Sequence, residues 1–272
     1  MSTTAQQEIK APASVTSGNF VWHELRTTDA IGATDFYTHV VGWKAKSSGD
    51  PAGMPYTLLT SGGFDVAGLM ELSPGMLAGG MRPAWVGFIG VDDVDAYAKR
   101  IEDAGGKLLC PPMDIPTVGR FASAEDPQGA TFLIFKGSLA EAPARPAFGS
   151  LGTVGWNELS ANDEKSAWPF YSGIFGWKVD SEMDMGPMGI YRIFNNGGPR
   201  FGGMMSRDPK NSPLPFWLFY FAVEDIDAAA ARIQEKKGQI CMGPHEVPGG
   251  QWIVMGTDPQ GAMFAVVGSR NQ

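Results

Sequence analysis

Two glutamates carry the chemistry this chain could do. Glu24 stands in Trp22-His23-Glu24-Leu25-Arg26 and Glu158 in Trp156-Asn157-Glu158-Leu159-Ser160. In a strand, residues two apart share a face, so each glutamate lies on the side of the tryptophan before it. A carboxylate pressed against an indole loses hydration, which raises its pKa and suits it to general acid–base work. Arg26 shares that face in the first motif and offers Glu24 a counter-charge, whereas the second has Ser160. Glu158 is therefore expected to be the carboxyl with the raised pKa. The plainer role for both is to hydrogen-bond neighbours and orient a strand or a bound molecule.

Other reactive patterns are sparse. The three histidines, His23, His39 and His245, are scattered, and there is no Gly-x-Ser-x-Gly elbow and no Cys-x-x-Cys pair. The glycine- and proline-rich loops, such as Gly197-Gly198-Pro199, lack the helix start that a phosphate cradle needs. Cys110 and Cys241 sit at comparable places in two similar halves, which favours reduced thiols over a disulfide.

The two glutamate motifs belong to a longer echo. Trp22 and Trp156, Phe36-Tyr37 and Phe170-Tyr171, and Trp43 and Trp177 are each 134 residues apart (156 − 22, 170 − 36, 177 − 43). Val91-Asp92-Asp93-Val94-Asp95-Ala96 echoes Val223-Glu224-Asp225-Ile226-Asp227-Ala228, and Asp126-Pro127-Gln128-Gly129-Ala130 returns as Asp258-Pro259-Gln260-Gly261-Ala262. Both of these pairs are offset by 132 (223 − 91, 258 − 126). The chain is a tandem duplication, divided into a flexible tail 1–18, a first domain 19–137, a linker 138–152 rich in Ala and Pro, and a second domain 153–269.

Bulk properties narrow the class. With 272 residues, 43% hydrophobic and 18% charged, the chain can bury two cores. A net charge of −8 without a basic run argues against nucleic acid. No apolar stretch is long enough for a bilayer, and Met1–Lys10 lacks an apolar leader region. A cytoplasmic protein is expected.

The elements that must position the glutamates follow from periodicity and caps. Phe20–Thr27 alternates as a strand; Asp29 caps a helix closed by Gly42; strands follow near residues 43–47, 56–60 and 64–72. Ala84–Val91 begins the next unit, with a helix from Asp93 to about Asp103 and strands at 107–110, 120–125 and 131–136. Each half thus holds two βαβββ units, and the fold class is α+β.

Strand, Asp-capped helix, Phe-Tyr, Gly-Trp, then Val-Asp-Asp-Val-Asp and Asp-Pro-Gln-Gly-Ala resemble the vicinal oxygen chelate superfamily of glyoxalases, bleomycin-resistance proteins and extradiol dioxygenases. Its tandem, glyoxalase-like actinobacterial branch, which includes the mycobacterial 27 kDa antigen, is most similar. The resemblance covers residues 20–137 and 153–268. It implies four βαβββ units paired into two domains, each a cupped mixed sheet around a pocket. It also implies metal-ligand positions, which fall here on Trp22, Gly68, Val86 and Leu133, and on Trp156, Gly203, Leu218 and Ala265. None of these has a lone pair for a divalent cation, so no metal and no other cofactor is expected. A one-residue slip of the first strand would instead turn His23 inward.

The expected lining is Trp22, Glu24, Arg26, Met70 and Trp85 in the first cup and Trp156, Glu158, Met204 and Trp217 in the second. Phe88, Phe219 and Met205 lie on or beside the same strands. Met183, Met185 and Met188 form a pliable flap. The favoured expectation is a binder of a small apolar or aromatic molecule, without nucleic-acid or membrane partners. Its domains would pack on each other, letting one chain suffice as a monomer. The alternative is an enzyme of lyase, hydroxylase or oxygenase type, using Glu158 and Glu24 as acid and base or a non-standard metal site at His23.

Overall fold

The computed structural model describes residues 17–49, 55–139, 145–210 and 213–270. Of the expected tail 1–18, all but Ser17 and Gly18 lie outside the described residues, as do residues 140–144 of the linker.

The first domain runs β1 (Phe20–Thr27), α1 (Ala30–Val41), β2 (Lys44–Ser47), β3 (Tyr56–Ser61), β4 (Phe64–Glu71), a short α2 (Pro74–Ala78), β5 (Ala84–Gly90), α3 (Val94–Asp103), β6 (Lys107–Ile115), β7 (Gly119–Glu125) and β8 (Thr131–Gly137). The second repeats it: β9 (Val154–Ala161), α4 (Glu164–Phe175), β10 (Lys178–Asp184), β11 (Ile190–Asn195), β12 (Arg200–Ser206), β13 (Phe216–Asp225), α5 (Ile226–Glu235), β14 (Gln239–Val247), β15 (Gln251–Thr257) and β16 (Met263–Ser269). A single 3-10 turn, Gly186–Met188, interrupts the methionine-bearing loop.

Each long helix starts at an aspartate. The carboxylates of Asp29, Asp93, Asp163 and Asp225 accept backbone N–H groups of the first turn, which removes orphan donors and fixes the strand-to-helix corner. Gly42 and Gly176 close α1 and α4 at φ 86° and 75°, a left-handed geometry that a Cβ would penalise.

Two eight-stranded mixed sheets result, ordered β2-β3-β4-β1-β5-β8-β7-β6 and β10-β11-β12-β9-β13-β16-β15-β14. Within each, two βαβββ units join along an antiparallel seam, β1 with β5 and β9 with β13. This is the tandem α+β architecture expected from the repeat.

The faces of the sheets differ. Leu25, Trp85 and Ile89 of one sheet share a single buried core with α1, α3, α4, α5 and with Leu159, Trp217, Phe219 and Phe221 of the other. The helix-bearing backs of the domains are therefore pressed together. The opposite faces form separate clusters without helical residues: Val86, Phe88 and Leu133 in the first domain, Leu218, Tyr220, Ile253 and Ala265 in the second. Leu133 and Ala265 have no exposed surface although no long helix joins their clusters, so each sheet rolls around its own front face. These front faces are the cups.

The repeated motifs build the back-to-back contact. Trp43 Nε1 donates to Gly152 O at 2.7 Å and Trp177 Nε1 to Gly18 O at 2.6 Å, so each copy pins the chain leading into the other's first strand. Asp126 Oδ1 accepts Gln128 N–H and Ala130 N–H, and Asp258 Oδ1 accepts Gln260 N–H and Ala262 N–H. Their free oxygens accept the Tyr171 and Tyr37 hydroxyls of the opposite domain, at 3.0 and 3.1 Å. Among the described residues, no helix is long and apolar enough to cross a membrane.

Candidate functional site

The register of β1 sets what enters the first cup. Glu24 pairs with Gly68 of β4 and Val86 of β5, and Trp22 with Phe88, so Trp22, Glu24 and Arg26 face the cup as expected. Met70, on the same side of β4 as Gly68, joins them. Trp22 Nε1 donates to the Tyr56 hydroxyl at 2.9 Å, and that hydroxyl donates to Glu24 Oε2 at 3.0 Å. The other carboxylate oxygen accepts Arg26 Nε at 3.1 Å. Glu24 is 7% exposed. Arg145 stacks over the Trp22 ring at 6.0 Å and donates to Val21 O.

The second cup repeats the relay with different partners. Trp156 Nε1 donates to the Tyr191 hydroxyl at 2.7 Å, and Tyr191 donates to Glu158 Oε2 at 2.8 Å. In place of a guanidinium, the Tyr220 hydroxyl donates to Glu158 Oε1 at 3.1 Å. Tyr220 pairs with Trp156 as Phe88 pairs with Trp22, so one hydroxyl and the Arg-to-Ser change distinguish the partners of the two glutamates. Burial pushes the Glu158 carboxyl up, and the two phenols only partly offset it. Burial, reinforced by the Glu158 charge, drives both tyrosines far above the usual phenol range. Glu158 is crowded by protein yet still half-buried rather than shut off, at the base of the second cup. Its wall is apolar and partly exposed: Trp156, Phe216, Val247, Met255, Met263 and Val267. His245 on β14 pairs with Ile253 and is exposed.

Three expected lining residues face the other way. Trp85 and Trp217 are back-face residues, because Glu24 and Glu158 pair with their neighbours Val86 and Leu218. Their indoles donate to Tyr37 at 2.8 Å and Tyr171 at 3.2 Å in the interdomain core. Met204 pairs with Leu159 and is wholly buried in that core, leaving Gly203 and Met205 on the cup side. Strand alternation leaves no other choice once Glu158 points inward. Phe219 also lies in the core, whereas Phe88 lines the first cup. The slipped register for His23 is not adopted: it pairs with Gly87 on the back face and contacts Asn157 and Phe219 of the other domain.

Tyr56, Tyr191 and Tyr220 are not among the residues expected from the sequence. A signal existed for the first two. Tyr56 and Tyr191, and Gly68 and Gly203, are both 135 apart (191 − 56, 203 − 68), a shared offset that marks partners. A Cβ on Gly68 would lie 1.8 Å from the Tyr56 hydroxyl oxygen, and one on Gly203 2.4 Å from that of Tyr191. The glycines are the gaps through which the tyrosines reach the glutamates.

Comparison with known proteins now decides the family. Residues 19–134 and 153–266 each match the Glyoxalase/Bleomycin resistance protein/Dioxygenase superfamily. The chain belongs to this superfamily. Among its relatives, "Putative glyoxylase CFP32" of Mycobacterium tuberculosis (strain CDC 1551 / Oshkosh) is 34% identical over 249 residues, 90% of this chain and 93% of that protein. "Anthracycline biosynthesis protein DnrV" of Streptomyces peucetius is 32% identical over 257 residues, covering 90% and 91%. The Mn(II)-bound glyoxalase from Novosphingobium aromaticivorans superposes with a TM-score of 0.63 at 17% identity, covering 95% of this chain and 84% of that one; this likeness concerns the fold.

A metal does not fit the residues present. The positions that the resemblance implies for metal ligands, Trp22, Gly68, Val86 and Leu133 and their counterparts Trp156, Gly203, Leu218 and Ala265, carry no imidazole or carboxylate. Tyrosine hydroxyls lie over the two glycines. Among the described residues, no three His, Cys, Asp or Glu side chains converge as a cation site.

Proposed function

We propose that the second cup binds a small, largely aromatic molecule without a metal, with Glu158 orienting it from the floor. The observation that carries this reading is the half-buried Glu158, held by two phenols and, among the described residues, by no cation, beneath a partly exposed wall of tryptophan, phenylalanine and methionine. Such a wall supplies stacking area and adapts in shape, while a few placed polar atoms set orientation. The name of DnrV lends support, since anthracyclines are fused aromatic rings. The first cup is secondary, because Glu24 is already ion-paired to Arg26 and nearly closed off.

The test is calorimetric titration with a fused-ring phenol such as 2-naphthol, alongside elemental analysis of protein purified without chelator. Binding without stoichiometric metal, abolished by filling the cup with Leu218→Trp, is the expected result. A tightly held transition metal, or no binding of fused-ring compounds, would overturn the reading.

The raised Glu158 carboxyl favours a second reading, in which the same group transfers a proton to or from the bound molecule. A Glu158→Gln variant that retains affinity and loses turnover is its expected signature; a wild-type protein that binds without turnover rejects it.

A further inference from the structure

The hydrogens on the floor of the second cup can be assigned one by one. The Trp156 indole nitrogen can only donate, so the Tyr191 oxygen receives it and the Tyr191 hydrogen goes to Glu158 Oε2. The Tyr220 hydrogen goes to Glu158 Oε1. Every hydrogen of this network is then committed. What remains uncommitted are lone pairs: those of the Tyr220 oxygen, which has no other hydrogen-bond partner among the described residues, and the outer ones of the carboxylate. Ser160, one pleat along β9, can donate or accept and does not discriminate.

We infer that the second cup selects molecules bearing a hydroxyl or N–H donor on an apolar ring, received by Tyr220 and Glu158, and rejects ring ketones and ethers of the same size. This deepens the proposed function and rests on it. At Tyr220 and Glu158 a ketone or ether oxygen meets only acceptors, and a buried polar atom without a partner is costly. The first cup lacks this selection, because Phe88 replaces Tyr220 and Arg26 occupies the free carboxylate oxygen of Glu24.

Replacing Glu158 by glutamine reverses the assignment. The amide oxygen accepts Tyr191, the amide nitrogen donates to the Tyr220 oxygen, and the Tyr220 hydrogen is released into the cup. The groups facing Glu158 are Tyr191 from β11 and Tyr220 from β13, with Gly203 on β12 and Leu218 on β13 beside it, and none is charged. Protonation of the wild-type carboxyl at lower pH has the same consequence as the amide.

The experiment compares 2-naphthol, 2-methoxynaphthalene and 2-acetonaphthone by calorimetric titration. For the wild type above neutral pH, naphthol is expected to bind about tenfold more tightly than the other two, the worth of one hydrogen bond to a charged acceptor. In Glu158→Gln, the preference falls below about twofold or passes to the ketone. If that variant does not fold, a wild-type series of falling pH takes its place, with the naphthol preference shrinking as the Glu158 carboxyl, held above its ordinary range by burial, takes up its proton. Equal affinities in the wild type, with binding intact, overturn the selection and leave the binding reading standing. Absence of binding by all three overturns both.

Discussion

His23 and Asn157 occupy the same position of the two repeats and hydrogen-bond to each other, Nε2 to Oδ1 at 3.0 Å, across the domain interface. Asn157 Nδ2 donates to Phe201 O at 2.8 Å. That fixes the amide with its oxygen toward His23, which must carry its proton on Nε2. The ring stacks on Phe20 and meets Phe219 edge-on at 4.7 Å. Burial lowers the imidazole from 6.5 to about 4, partly offset by the Asn157 bond.

A lowered pKa means that stability is present above the unfolded value and is lost as pH falls through the window from 6.5 to about 4. At about 1.4 kcal/mol per unit, the loss is on the order of 3 kcal/mol. His23→Gln keeps a donor to Asn157 without titrating. Urea denaturation at about pH 7 and about pH 4 is expected to show the wild type losing that much more than the variant; equal losses would refute the assignment.

Glu158 shows the opposite sign. Its raised pKa means that its contribution to stability is present below the unfolded carboxylate value and lost as pH rises through the folded one. Glu158→Gln is therefore expected to be more stable than the wild type at neutral pH, with the gap closing on acidification. Thermal melts across that range check it, and a gap that widens toward acid contradicts it.

The glycines beneath the tyrosines are steric requirements. A methyl group at Gly203 would lie 2.4 Å from the Tyr191 ring and hydroxyl, so Gly203→Ala must push the ring away from Glu158. The expected cost is about 1–3 kcal/mol, with weakened binding of the naphthol probe. Gly68→Ala is expected to cost a similar amount, about 1–3 kcal/mol, and to leave that binding unchanged. Denaturation and titration of both variants separate the two cups.

Paired tryptophan replacements test the faces of the sheet. Trp217→Phe leaves the Tyr171 oxygen without its indole donor and is expected to lower stability by about 1–3 kcal/mol with little change in probe affinity. Trp156→Phe is expected to do the reverse, weakening the probe because its ring forms the partly exposed wall. An affinity loss confined to the Trp217 variant would reverse the assignment of faces.

Much of this protein was written in order and spacing along the chain. The constant offsets announced two copies, the aspartates before each helix placed the corners, and period-two alternation put Trp22, Glu24 and Arg26 together on one face of β1. The contrast of Arg26 with Ser160 already pointed to the difference between Glu24 and Glu158. These are local properties of the backbone, which hold whatever the strand packs against.

What packing decided could not be read that way. Trp85 and Trp217 look like cup residues by composition, yet one position along β5 or β13 separates a lining residue from a core one, and only pairing with β1 or β9 sets that parity. Tyr56 and Tyr191 come from strands that reach the glutamates across β4 and β12, over glycines more than ten residues away. Tyr37 and Tyr171 find their carboxylate partners in the opposite domain, 221 and 45 residues distant. Contacts of that kind depend on where two distant segments meet in space, and that meeting is a property of the folded sheet pair rather than of either segment.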